Sequence, residues 1–283
     1  MNEKLQVQWF PGHMAKTRRL IKESLAMVDA VCEIVDARLP LSSRNPEIDD
    51  ITGSKPRIIL LNKCDLADEK ATERFVDYFK NSGFTALPVD CRNGRGLNAF
   101  RPAAKNVLRD RIAANEKKGM GGKPLRIMVV GIPNTGKSSF INRMAGKNKA
   151  EVADKPGVTR SNRWFNIGDG MELLDTPGVL WPKFEDPEVG DKLSFIGSVK
   201  DTVLDIEEIA VRFVSIMQKK YPALLSDRYA LADFAEKEPF EVIEMIAAKR
   251  GMLLRGGEFD TQRASVMLLD EYRSGKLGRL TLD

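Results

Sequence analysis

The stretch GIPNTGKS (131–138) matches the pattern G-x-x-x-x-G-K-[ST], and the chemistry that pattern performs is the cradling of a polyphosphate. Gly131 and Gly136 permit a tight turn whose backbone N–H groups converge on the phosphates, and a following helix adds its N-terminal dipole. Lys137 has the reach for the β- and γ-phosphates, and the hydroxyl of Ser138 suits Mg²⁺. Asn134, Thr135, Gly136, Lys137, Ser138 and Ser139 are therefore read as nucleotide-binding residues. About forty residues on, LLDTPG (173–178) supplies Asp175 as a second magnesium group and Gly178 as a backbone donor to a terminal phosphate. Between the two, KPGVTR (155–160) offers Thr159. A threonine in a Pro-Gly loop is ordinarily a turn residue, but bracketed by these motifs its hydroxyl becomes the other protein ligand of Mg²⁺ and part of a switch loop.

NKCD (62–65) has the residues that read guanine. The Asp65 carboxylate accepts from the ring N1–H and the exocyclic amine, Asn62 orients the loop, and Lys63 lies along the base. Adenine cannot donate that pair of hydrogens, so the expected nucleotide is GTP or GDP. VDCRNGRG (89–96) follows, with Cys91 placed so that its backbone N–H could meet the guanine oxygen.

Elements must carry these groups. VCEIVDA (31–37), RIILLNK (57–63), TALPVDC (85–91), LRIMVVG (125–131) and MELLDT (171–176) read as strands, with WFNI (164–167) as partner to the last. Helical spacing appears at 15–28, 68–81, 96–117 and 136–146. Strands alternating with helices predict an α/β fold with a mostly parallel, six-stranded sheet covered on both faces, and ligands at the carboxyl ends of its strands. After WPKFEDPEVGDK (181–192) strand signals fade, and helical spacing at 203–220, 228–236, 239–250 and 260–274 predicts an all-α C-terminal domain. The expected domains are 1–185 and 190–283, the second read as RNA-binding. KKGMGGKP (117–124) is a glycine-rich cationic break.

Composition narrows the class. Three cysteines without CxxC spacing and a single histidine give no zinc set, and no segment approaches the roughly 20 apolar residues that cross a bilayer. The expectation is a cytoplasmic, monomeric protein with reduced thiols and neither a membrane nor a DNA partner. Residues 92–126 hold ten Lys/Arg against two Asp/Glu, more positive than the whole chain at net +5, whereas 190–283 hold fourteen against sixteen. Such clustering favours a polyanion such as RNA, because phosphate contacts release condensed counterions.

The base-reading motifs precede the phosphate-binding ones, the reverse of the ordinary order. WFPGHM (9–14), DARLP (36–40), NKCD, GIPNTGKS, PGVTR and LDTPG together resemble the ribosome biogenesis GTPase A family, also called YlqF, of circularly permuted P-loop GTPases. The resemblance covers nearly the whole chain and is most specific through residue 181. It implies GTP hydrolysis, Mg²⁺ as cofactor, and work late in assembly of the large ribosomal subunit, with the precursor particle and its ribosomal RNA as partner. Because the segment after Asp175 leads into the helical domain, nucleotide state can reach that domain through a short covalent connection.

Ras-like enzymes place a glutamine immediately after DxxG to orient the attacking water; here Val179 stands there. The resemblance implies that His13, the only histidine, takes that role. Asn134 resembles the asparagine of GTPases that recruit K⁺ as a positive charge. Two other readings compete: a nucleotide-gated RNA-binding protein with negligible catalysis, for which Val179 argues, and a P-loop kinase acting on a small molecule, against which NKCD argues.

Overall fold

The computed structural model describes residues 11–146, 163–178, 180, 186–199 and 205–283, with side chains from residue 18 onward. Thr159 and Val179 lie outside the described residues, as does the side chain of His13. The chain divides into two compact units, each taken by itself.

The first unit holds one six-stranded sheet. Its strands are β1 (Ala30–Asp36), β2 (Arg57–Asn62), β3 (Thr85–Val89), β4 (Leu125–Val130), β5 (Arg163–Gly168) and β6 (Met171–Asp175). They lie in the order β3-β2-β1-β4-β6-β5. All neighbours run parallel except the β5–β6 hairpin. β1 and β2 are buried at every position, as expected of parallel strands covered on both faces. Alternate residues serve opposite cores. Cys32, Ile34, Ile58, Leu60, Ile127 and Val129 pack with Phe100 and Phe140, whose rings meet edge-on at 4.9 Å. On the other face Val31, Met128, Val130 and Leu174 pack with Ile21 and Leu25, and Val35, Ile59 and Leu61 with Val76 and Phe79.

Helices α1 (Pro11–Ser24), α2 (Glu47–Thr52), α3 (Glu69–Asn81), α4 (Phe100–Val107), α5 (Arg109–Lys117) and α6 (Lys137–Ala145) cover the sheet. The Pro-Gly pair of WFPGHM forms the first turn of α1 and does not precede it. Proline is suited to that position, since its missing N–H has no intrahelical acceptor there. The predicted helix over 96–117 is interrupted at Leu108, whose φ −102 and ψ 13 depart from helical values.

The second unit is helical: α7 (Pro187–Phe195), α8 (Ile206–Lys220), α9 (Pro222–Tyr229), α10 (Pro239–Lys249) and α11 (Thr261–Ser274). Phe213 of α8 lies at its centre, 5.2 Å from the ring of Phe195 and 4.9 Å from that of Tyr272. The helix predicted over 228–236 is displaced. Ala230 and Asp233 adopt left-handed backbone (φ 52 and 50), so Leu231 and Phe234, whose spacing suggested a helix, are buried from a loop. α7 was not anticipated, although Asp186-Pro187-Glu188 carries its signal: the Asp186 side chain accepts from the Glu188 N–H and Pro187 occupies the first turn.

Candidate nucleotide site

Four connections leave the carboxyl ends of β1, β2, β3 and β4 side by side, which gathers DARLP, NKCD, VDCRNGRG and GIPNTGKS although they are spread over a hundred residues. The phosphate loop runs from Val130 to the start of α6. Gly131 and Gly136 both take positive φ (149 and 102). A Cβ on Gly131 would sit 2.5 Å from the Ile34 carbonyl oxygen, and one on Gly136 would strike Asn62 Nδ2, so neither position admits a side chain. Asn134 adopts φ 64 without being glycine. Thr135 is fully buried and its hydroxyl donates to the Ile132 carbonyl at 3.0 Å, bracing the loop from inside.

Lys137 Nζ donates to the same Ile132 carbonyl at 2.8 Å. Burial pushes its pKa down to about 8, partly opposed by Asp175. The carboxyl of Asp175, at the end of β6 and beside Val129 in the β4–β6 register, is pushed up by burial, with Lys137 and Arg163 pulling the other way. A buried ammonium and a half-buried carboxylate that only partly satisfy each other are primed for an anion and a cation respectively. Gly178 lies over the loop: a Cβ there would be 3.0 Å from both Lys137 Nζ and the Pro133 nitrogen. Ser138 and Ser139 are exposed on the first turn of α6. The Ser138 hydroxyl has no hydrogen-bond partner among the described residues.

Asn62 joins three loops. Its Nδ2 donates to the Thr135 carbonyl at 2.7 Å, and its Oδ1 accepts from the Cys91 N–H at 2.9 Å. The Cys91 N–H expected to face guanine is thus given to Asn62, and the next two N–H groups, of Arg92 and Asn93, go to Asp90 Oδ1. The Cys91 thiol is pushed up to about 12 by burial and by Asp90 and Cys64, so it packs and does no thiolate chemistry. Lys63 takes φ 61 and its ammonium reaches Asn134 O at 2.8 Å and Asp36 Oδ2 at 2.8 Å, leaving only its stem to lie along a base. Asp65 is half-buried, and its carboxylate has no partner among the described residues. Sequence reasoning named DARLP without giving Asp36 a role; its position at the end of the central strand beside NKCD was the available signal.

Residues 126–246 match the family model described as 50S ribosome-binding GTPase. The match starts in β4 and leaves NKCD ahead of it, in keeping with the reversed order of motifs. The chain is 45% identical to ribosome biogenesis GTPase A of Bacillus cereus, over 98% of this chain and 93% of that protein. It is 33% identical to the Thermotoga maritima protein of the same name, over 98% and 94%.

The chain belongs to the ribosome biogenesis GTPase A family.

Among solved structures, GDP-bound YlqF matches with a TM-score of 0.69 at 30% identity, over 94% of this chain and 98% of that one. GNP-bound YlqF from T. maritima matches with a TM-score of 0.64 at 30% identity, over 95% and 97%. The protein is accordingly a GTPase acting in ribosome biogenesis, and its nucleotide carries guanine. Membership of the family sets aside the small-molecule kinase and the catalytically inert RNA-binding protein. No helix among the described residues is long and apolar enough to cross a membrane.

Proposed function

We propose that this GTPase is a monomeric, cytoplasmic switch that binds large-subunit precursor particles through ribosomal RNA, and that GTP hydrolysis, stimulated by the particle, releases it. The observation that carries the reading is that Gly178, just past the end of β6 on the path toward the helical unit, lies against Lys137 of the phosphate loop. Gain or loss of a γ-phosphate acts there first, and the covalent path onward leads to the helices. The cationic stretch 92–126 supports a polyanionic partner: Arg92, Arg95, Lys105, Arg109, Arg111, Lys117, Lys118 and Lys123 are all exposed.

The residues suit magnesium. Ser138 presents an exposed hydroxyl and Asp175 a carboxylate, which with the Thr159 hydroxyl and phosphate oxygens make a hard-oxygen set; Mg²⁺ uses few protein carboxylates. When bound, the ion neutralises charge on the β- and γ-phosphates. Lys137 supplies a further positive charge, recovering its full protonation when a phosphate approaches. Gly178 donates its N–H to the terminal phosphate. His13 orients the attacking water, the role that Val179 cannot fill, and Asn134 helps hold K⁺.

Cosedimentation with large-subunit precursors in GDP, GTP and a non-hydrolysable analogue tests the switch: binding should follow the nucleotide, and binding that ignores it overturns the reading. His13→Ala should keep GTP binding and lose particle-stimulated turnover. Turnover equal in Na⁺ and K⁺ would remove Asn134 from the mechanism.

A further inference from the structure

DARLP contains a carboxylate that neither phosphate binding nor base reading uses. Asp36 ends β1, the strand lying between β4, which delivers the phosphate loop, and β2, which delivers NKCD. It is fully buried. Its Oδ1 accepts from the Arg38 N–H at 3.0 Å and from Arg38 Nε at 2.9 Å; its Oδ2 accepts from the Arg38 guanidinium at 2.9 Å and from Lys63 Nζ at 2.8 Å. The Lys63 ammonium also donates to the Asn134 carbonyl at 2.8 Å. One nitrogen therefore ties a central buried carboxylate to the backbone of the phosphate loop.

Two features show that this tie constrains both loops. Lys63 and Asn134 both occupy left-handed backbone, with φ 61 and 64; asparagine tolerates that region, but for a lysine it is uncommon and held by its surroundings. Each sits at one end of the Lys63–Asn134 bond. The anchor is itself immobile: the Asp36 N–H donates to Ser43 Oγ at 2.9 Å, and the Ala37 N–H donates to the Asn62 carbonyl at 2.7 Å. Burial alone would raise the Asp36 carboxyl, but Arg38 and Lys63 outweigh it and hold the group ionised, well below the usual carboxylate range. Arg38, equally buried, presents a planar fork to one carboxylate edge. Lys63 thus meets a rigid anion.

We propose that Asp36 is a positioning residue for nucleotide retention: by holding the Lys63 ammonium against the Asn134 carbonyl, it locks the base-reading loop to the phosphate loop and slows release of guanine nucleotide. The proposal rests on guanine nucleotide occupying this site. It gives DARLP a function distinct from contact with the ligand.

The test is release of a fluorescent GDP analogue from the full-length protein, followed by stopped flow, for the wild type, Asp36→Asn, Lys63→Met and the double variant. Each single change should speed release roughly tenfold, the size of a coupling between groups in direct contact. The double variant should release no faster than Lys63→Met, because Asp36 acts through Lys63. Multiplying effects, or wild-type release from Asp36→Asn, overturns the proposal. A merely structural role would destabilise the fold irrespective of what stands at 63 and would not produce that saturation. Asp36→Asn leaves the Arg38 charge buried without its partner, which can unfold the protein. Asp36→Asn with Arg38→Met removes that charge. Folded by circular dichroism, this pair should still release about tenfold faster, and release at the wild-type rate would again overturn the proposal. Failure of the wild type to bind GDP would refute the nucleotide assignment; normal wild-type binding with unchanged variants would refute the role of Asp36 alone.

Discussion

Asn62 carries more of the site than its size suggests, and its removal has a calculable effect. The side chain is 2% exposed, its two hydrogen bonds end on the Cys91 N–H and the Thr135 carbonyl, and those residues are 3% and 0% exposed. Asn62→Ala leaves both backbone groups without partners in a region with little access to water. An unsatisfied buried donor or acceptor costs about 1–3 kcal/mol, so two cost about 2–4 kcal/mol after partial relaxation. That converts to roughly 30- to 1000-fold in the balance between the assembled and open site. Asn62→Asp divides the effect: it keeps the acceptor for Cys91 but turns a carboxylate oxygen toward the Thr135 carbonyl, so the link to the phosphate loop breaks and the link to the 90–93 loop survives. Amide hydrogen exchange of nucleotide-free protein reads the two links separately, and GDP titration reads their sum. Asn62→Ala should deprotect the Cys91 amide and weaken GDP by at least thirtyfold, whereas Asn62→Asp should weaken GDP with the Cys91 amide still protected. If Asn62→Ala leaves both the Cys91 amide and GDP affinity within twofold of wild type, the loops are held by something else and the reasoning fails.

Gly136→Ala forces a Cβ onto Asn62 Nδ2 from a backbone with φ 102, so it should lower the melting temperature and abolish GDP binding; retention of either at the wild-type level would show that the loop yields. Burial lowers Lys137 to about 8, and bound phosphate must restore its charge. Binding above pH 8 therefore takes up a proton, and GDP affinity should fall by up to tenfold per pH unit from there. Calorimetry in EDTA, in two buffers of different ionisation enthalpy, counts that proton; Lys137→Arg, which does not titrate in this range, reports the share due to the base itself. Gly178→Ala places a methyl about 3.0 Å from Lys137 Nζ and the Pro133 nitrogen, where a terminal phosphate would be sensed. It should weaken a GTP analogue at least tenfold more than GDP, and equal weakening would remove Gly178 from discrimination between the two.

Much of this was legible in the residue order because local patterns encode local geometry. GIPNTGKS between an apolar run and a helical stretch specifies a strand, a glycine turn and a helix start, and all three stand where the pattern places them. The central strands β1, β2 and β4 were readable from their apolar runs, since strands covered on both faces have few positions that tolerate polarity, whereas the part-exposed edge strands β3 and β5 showed shorter runs. Local patterns failed where a backbone left the regular regions. Leu231 and Phe234 keep helical spacing but sit in a loop set by left-handed Ala230 and Asp233. Cys91 was placed correctly in its loop, but whether its N–H faces a base or Asn62 depends on a residue twenty-nine positions earlier.

By itself, the sequence determined the nucleotide chemistry, the reversed order of the motifs and the family, since these reside in side-chain types at fixed spacings. Only the tertiary structure decided how separate motifs act on one another. The parallel order β3-β2-β1-β4 brings Asn62, Lys63, Asp36 and Asn134 to one edge, and hydrogen bonds of 2.7–2.8 Å then join loops some seventy residues apart. A hydrogen bond depends on distance and direction in space, neither of which is a property of separation along the chain.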